Sequence, residues 1–249
     1  MDIITLLGVF FLGFVTMFFG AISGGVGLVT RPILIFMGFP ASAVISSSRV
    51  AGVLGEWPGL YLLHKHKHVD WKIALFLVIP MALGSVLASI AVITVLKTSL
   101  NLVLGLFLLL AGLFFLFNKQ IGLSQQSQRF SKIKTNIISF LGTLPISFLG
   151  TFTGGLGPLY SLFYIWVYGK SFISASAIWR IASNIAYIFS AIVFIVGGIV
   201  DWQLTIALML GFMLGSFFGT KFGLKQGEGW VRYIVLIVTF AGAIKLLFF

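Results

Sequence analysis

Ten long apolar runs fill most of this chain: 3–21, 26–39, 43–63, 71–96, 99–117, 137–152, 158–168, 172–200, 202–222 and 231–249. About 20 apolar residues at 1.5 Å each cross the ~30 Å hydrocarbon core of a bilayer. Inside lipid a backbone must satisfy its own amides, so continuous apolar runs fold as helices. An outer-membrane barrel would instead alternate apolar and polar residues. Charged residues make up 8% of the 249, against roughly 25% in a soluble domain, so the chain cannot coat a water-exposed surface. Mean hydropathy is +1.15. The fold class that follows is an all-α polytopic membrane protein whose first partner is the lipid bilayer.

The net charge of +11 resembles that of a nucleic-acid binder, but its placement argues otherwise. Eleven of the sixteen Lys and Arg lie in four short breaks: Lys65, Lys67 and Lys72; Lys119, Arg129, Lys132 and Lys134; Lys170; Lys221, Lys225 and Arg232. Bases confined to short loops between apolar helices follow the positive-inside rule. No aromatic-plus-basic face or recognition module points to nucleic acid. The absence of cysteine excludes disulfides, cysteine nucleophiles and thiolate metal sites. Met1-Asp2 lacks a basic leader, so the first run reads as a helix rather than a cleaved signal.

The runs 26–39 and 158–168 are too short to cross comfortably. Each follows a glycine cluster, Gly24-Gly25-Val26-Gly27 or Gly154-Gly155-Leu156-Gly157. Short glycine-interrupted segments at matching places in two halves mark broken helices around a binding site. At an offset of 130, Gly20, Gly24, Gly25 and Gly27 fall on Gly150, Gly154, Gly155 and Gly157. One residue more places Gly38 on Gly169, Arg49 on Arg180, Asp70-Trp71 on Asp201-Trp202 and Gly84-Ser85 on Gly215-Ser216. This spacing predicts an internal duplication: a first membrane repeat over 1–117, a linker over 118–136 and a second repeat over 137–249. The break before Asp70 carries Lys65 and Lys67, whereas its counterpart Gly197-Gly198-Ile199-Val200 carries no base. Equivalent loops of opposite character belong on opposite sides, which predicts two inverted repeats of about five helical segments each. Short glycine-broken helices or re-entrant hairpins then lie at the centre. With the linker cytoplasmic, Lys65, Lys170 and Lys225 share its side, and Lys97 and Lys245 face out.

Two charges stand out within this frame. Arg49 and Arg180 sit inside apolar runs, far from the basic loops, at equivalent repeat positions. An arginine at mid-bilayer costs about 2.5–3.5 kcal/mol on the mildest scale, so it needs a partner or a wet cavity. Two such guanidiniums at a repeat interface make an anion site, because each presents a planar fork of donors. The bland alternative is that each ties two helices together. Ser46, Ser47 and Ser48 precede Arg49, and Ser183 and Asn184 follow Arg180; hydroxyls and amides can complete an oxoanion's shell without adding charge. Gly24, Gly25, Gly27, Gly154, Gly155 and Gly157 can bare backbone N–H groups at helix starts, although small residues also serve packing. Glu56, seven residues after Arg49 and about 10.5 Å along one helix, is either that arginine's counter-ion or a carboxyl that couples transport to protons. Arg31, beside Pro32, is either a third cation or a snorkelling side chain. The run His64-Lys65-His66-Lys67-His68 reads as a basic loop, not a metal site. Asp70 and Asp201 read as helix N-caps ahead of interfacial Trp71 and Trp202. No metal, cofactor or nucleophile–base pair is indicated, so the chain does not read as an enzyme.

The segments Gly20-Ala21-Ile22-Ser23-Gly24-Gly25-Val26-Gly27 and Gly150-Thr151-Phe152-Thr153-Gly154-Gly155-Leu156-Gly157-Pro158 recur with Val69-Asp70-Trp71 and Val200-Asp201-Trp202. In that order, and over nearly the whole chain, they resemble the TauE/SafE family of sulfite and organosulfonate exporters. The resemblance implies a multi-pass carrier of the bacterial inner (plasma) membrane that moves small sulfur-containing oxoanions. Its expected partner beyond lipid is thus a small anionic substrate. Two other functions fit the residues: a proton-coupled carrier of another solute using Glu56, and a non-transporting membrane scaffold.

Overall fold

The computed structural model of the protein describes residues 1–94 and 131–248. The predicted run 99–117 and most of the linker, 118–130, lie outside the described residues. Ten helices are seen: α1 Ile3–Ser23, α2 Val26–Phe36, α3 Ala41–Gly55, α4 Trp57–Lys65, α5 Trp71–Thr94, α6 Lys132–Thr153, α7 Gly157–Tyr168, α8 Phe172–Val196, α9 Trp202–Gln226 and α10 Glu228–Phe248. The described residues contain no strand. Among the described residues five helices, α1, α5, α6, α8 and α9, are long and apolar enough to cross a membrane.

The bundle is built for lipid outside and small or polar residues inside. Leu7, Phe11, Val15 and Phe19 of α1 form an exposed stripe at every fourth position, as do Ile206, Leu210, Leu214 and Phe218 of α9. In water such faces would be costly; in hydrocarbon they are the natural surface. Buried instead are Ser85 and Ser89 of α5, Ser139, Thr143 and Ser147 of α6, and Ser216 and Thr220 of α9. Most of these hydroxyls donate a hydrogen bond to a helical carbonyl, as Ser139 does to Thr135 at 2.6 Å and Ser89 to Ser85 at 2.7 Å.

The short runs are short helices. At about 1.5 Å per residue, α2 and α7 measure about 16 and 18 Å, roughly half the bilayer core. Their starts are set by Gly24 (φ 82°) and Gly154 (φ 65°), which take the left-handed conformation that ends α1 and α6. Other residues reach that conformation only under strain. Two expectations are corrected. Run 43–63 is not one helix but two, α3 and α4, divided at Glu56; Pro58 has no N–H to return to the Leu54 carbonyl, so the ladder breaks there. Residues 132–136, assigned to the linker, are the first turn of α6, entered from Ser131 in extended conformation.

Helices pair across the halves. α1 packs along α9 and α5 along α6, while α3 packs against α8 and α9. The two long pairs use matching residues: Gly215 lies against Phe14, Met17 and Phe18, and Gly84 against Leu144, Ser147 and Phe148. These three neighbours are 130 apart in sequence. At the centre the glycine breaks meet each other. Gly27 N–H donates to the Gly154 carbonyl at 2.9 Å, and Gly24 abuts Gly157 so closely that a Cβ on Gly24 would lie 2.6 Å from the Gly157 Cα. Each contact is the repeat image of the other, as in a self-complementary interface.

Candidate functional site

Arg180, on α8, is 1% exposed. Its Nη1 donates to the Ala21 carbonyl (3.0 Å) and the Thr220 hydroxyl (3.1 Å), and its Nη2 to the Ser216 hydroxyl (3.3 Å). Nε stands 3.5 Å from Oε2 of Glu56. Glu56 is therefore the neighbour of Arg180, across the halves, and no ion pair joins it to Arg49. The expectation of a pair along one helix fails because that helix ends at Gly55 and Glu56 sits in the break. Ser216 ties the knot further: its hydroxyl donates to the Glu56 carbonyl (3.0 Å) and accepts from Gly59 N–H (3.1 Å).

Arg49, on α3, is 5% exposed but far less engaged. Nη2 makes one long hydrogen bond, 3.3 Å to the Gly150 carbonyl. The guanidinium carbon lies 4.0 Å from the centre of the Tyr187 ring, a cation–π contact worth about 0.5–2 kcal/mol. Nε is buried without any hydrogen-bond partner. Tyr187 occupies the repeat position of Glu56, so each arginine reaches the same place in the opposite half and finds a different group there.

Both arginines line one cavity of about 50 Å³. A water needs about 10–15 Å³ on this scale, so three or four waters or one small oxoanion would fit. Arg49, Arg180 and Glu56 form its polar part together with Ser147 and Ser183; Tyr160 and Trp179 form an aromatic wall. The two rings stack at 5.8 Å and 16°, and Trp179 Nε1 donates to Ser161 at 2.8 Å. A second cavity of about 50 Å³ shares Arg49, Glu56, Tyr187 and Gly154 and adds Thr30, Arg31, Ser48 and Gly52.

The other expected residues divide between lining and bracing. Gly24, Gly154 and Gly157 line the first cavity, Gly27 and again Gly154 the second, and Gly25 and Gly155 neither. Ser48 lines the second cavity and Ser183 the first. Ser46 and Ser47 line neither: they hydrogen-bond to the backbone of Ile199 and Asp201, joining α3 to the loop before α9. Asn184 donates to the Gly52 and Val53 carbonyls at 3.1 and 3.0 Å, holding the last turn of α3. Arg31 does not snorkel. It is 6% exposed, and its Nη1 donates to the Thr151 and Phe152 carbonyls at the end of α6 (2.8 and 2.6 Å). Cations at a helix C-terminus are favoured by its dipole.

Sequence reasoning passed over Tyr187, Tyr160, Trp179 and the Ser216–Thr220 pair as site residues. The offset of 131 that relates the arginines carries Glu56 onto Tyr187, which marks that position as a break in the symmetry without giving the ring a role. At the loops, Asp201 accepts from Leu204 N–H at 3.0 Å, a standard N-cap, and Asp70 accepts from Ile73 N–H while holding Lys170 at 2.9 Å.

A helical bundle with a lipid-facing apolar skin, half-length helices meeting at glycines, and cations around a central cavity has the architecture of a membrane transporter. The sequence matches the family described as sulfite exporter TauE/SafE over residues 9–246. It is 29% identical to a probable membrane transporter protein of Haemophilus influenzae over all of this chain and 97% of that one. It is 25% identical to the probable membrane transporter protein YfcA of Escherichia coli K12, covering 98% of this chain and 90% of the relative. The probable membrane transporter protein ORF9 of a Sinorhizobium species is 24% identical, with coverage of 96% and 90%. No solved structure matches. The chain belongs to the TauE/SafE family of membrane transporters.

Proposed function

We propose that this transporter is a secondary carrier, working as an exporter, of small sulfur oxoanions such as sulfite or an organosulfonate. Arg49 is the substrate anchor, with Ser183 and the glycine-bared backbone completing the shell. The observation that carries this reading is the state of Arg49: a buried guanidinium facing a cavity, with Nε unpartnered and no carboxylate of its own. An uncompensated buried charge is costly, and a bound anion removes that cost. The Arg180–Glu56 pair is structural in this scheme and holds α8 against the α3–α4 break. The two halves lie inverted in a bacterial inner membrane with the linker cytoplasmic, so that rocking about the glycine crossing exposes the cavity to either side. A scaffold would need no cavity and fully paired arginines, which Arg49 does not satisfy.

The test is flux of radiolabelled sulfite and taurine from proteoliposomes. Arg49→Gln inserts normally and abolishes flux of whichever anion the wild type carries; wild-type flux in Arg49→Gln sinks the assignment. A second reading, a proton-coupled carrier of another solute, is favoured by Glu56 lining both cavities. It requires proton-driven flux that ignores sulfite and disappears in Glu56→Gln.

A further inference from the structure

The second cavity is the repeat image of the first. Thr30 corresponds to Tyr160, Ser48 to Trp179, Arg49 to Arg180, Gly52 to Ser183 and Glu56 to Tyr187, each at an offset of 130 or 131. The stacked pair Arg49–Tyr187 lines both, as do Met17, Val26, Glu56 and Gly154. Two adjoining chambers therefore carry equivalent linings.

Their charges do not cancel. Arg31, Arg49 and Arg180 line the two chambers, and Glu56 is the only acid that does. With Glu56 ionised, two positive charges remain, each on a side chain more than nine-tenths buried. Ions at membrane depth are tolerated only when paired or wet. A donor is also left over: the buried Nε of Arg49, a residue that lines both chambers, has no hydrogen-bond partner, while the Nε and Nη1 of Arg31 are spent on Ser48, Thr151 and Phe152.

We propose that the protein holds two anions at once, and that the chamber walled by Arg31, Arg49, Thr30 and Ser48 is a second subsite for a compact monovalent inorganic anion such as a halide. This rests on the anion reading above and extends it. The two chambers differ in what they can hold. The first keeps the aromatic wall of Tyr160 and Trp179, suited to an anion with an organic body. In the second those positions are Thr30 and Ser48, so two hydroxyls and the guanidiniums of Arg31 and Arg49 face a space of about 50 Å³ whose one carboxylate, Glu56, is neutralised by Arg180. Weakly hydrated guanidiniums suit a small, soft anion without an apolar part.

The experiment soaks crystals of the full-length protein with bromide and locates it by anomalous scattering. Two peaks are expected in the wild type, one in each chamber. Gly52→Ala is the discriminating variant, because Gly52 lines only the second chamber. A Cβ there meets nothing closer than the Tyr187 ring at 3.6 Å, so the methyl takes up chamber space without displacing the fold. It removes the second peak and keeps the first; Arg31→Gln does the same. Bromide in the first chamber alone, in neither chamber, or in the second chamber of both variants overturns the proposal. Sulfite flux on the same preparations separates the two readings: flux with a single bromide peak sinks only the second subsite, whereas absent flux with two peaks sinks only the transport assignment.

Discussion

Arg49 and Arg180 stand 131 residues apart in two segments of similar glycine and charge spacing, are both buried, and both reach across to the opposite half. There the likeness ends. Arg180 meets Glu56 and three hydrogen-bond acceptors on α1 and α9; Arg49 meets the face of Tyr187 and one distant carbonyl. The two sites share their geometry, and one position at which they differ, Glu56 against Tyr187, gives the two arginines different surroundings. A carboxylate turns a buried arginine into a brace. An aromatic ring shelters the cation while leaving its donors for a ligand.

The largest expected effect tests that division directly. Arg180→Gln leaves Glu56 buried without its cation, a situation that costs about 3–5 kcal/mol. Arg49→Gln loses one cation–π contact and one long hydrogen bond, about 1–2 kcal/mol in all, and also sheds a buried charge that no carboxylate neutralises, so its net cost is smaller still. Thermal unfolding of the purified proteins therefore separates the two variants clearly, and Arg180→Gln/Glu56→Gln recovers much of the loss by removing the stranded charge. Equal destabilisation by the two single variants would show that the arginines share one role.

A second substitution erases the asymmetry. Tyr187→Glu gives Arg49 the partner that Arg180 already has, so anion binding weakens by at least tenfold, about 1.4 kcal/mol. Tyr187→Phe keeps the ring and leaves affinity within about twofold. Titration of sulfite against both variants measures this. Unchanged affinity in Tyr187→Glu would mean that the anion does not sense the charge on Arg49.

How far the sequence foretold this site depends on which relation carried the information. Repeat spacing exposed the arginines, the glycine breaks and the short helices, because glycines and buried charges are rare enough in lipid to be informative. It failed for Glu56, where reasoning along one helix missed both the Pro58 break and the crossing of halves. Ser46, Ser47 and Asn184 carry the same chemistry as lining residues but are spent on backbone carbonyls. Only the packing of α3 against α8 and α9 distinguishes bracing from lining. The aromatic wall was hidden because Tyr160 and Trp179 look like ordinary bilayer residues until their rings stack.

The smallest effect lies at the loops, where the repeats diverge again. Asp201 serves its helix as a cap and hydrogen-bonds through its backbone to Ser47. Asp70 binds Lys170 as well, joining the loop before α5 to the loop before α8. Burial pushes the Asp70 carboxyl up, but the hydrogen bond from Lys170, the Ile73 and Lys72 backbones and the lysine's charge outweigh it and hold the carboxyl below its usual value. A group depressed on folding stabilises the native state above its unfolded pKa, about 3.9, and that contribution fades as pH falls through the folded value. Both side chains are partly solvated, at 20% and 34%, so the pair contributes no more than about 1 kcal/mol. Asp70→Asn should thus lower the unfolding temperature slightly at pH 7, and its difference from wild type should vanish as the pH drops below 4. Asp201→Asn keeps a capping oxygen and should stay within about 0.5 kcal/mol of wild type at pH 7. A pH-independent gap for Asp70→Asn would mean that Asp70 acts as a neutral cap, like its counterpart, and that Lys170 adds nothing to this end of the bundle.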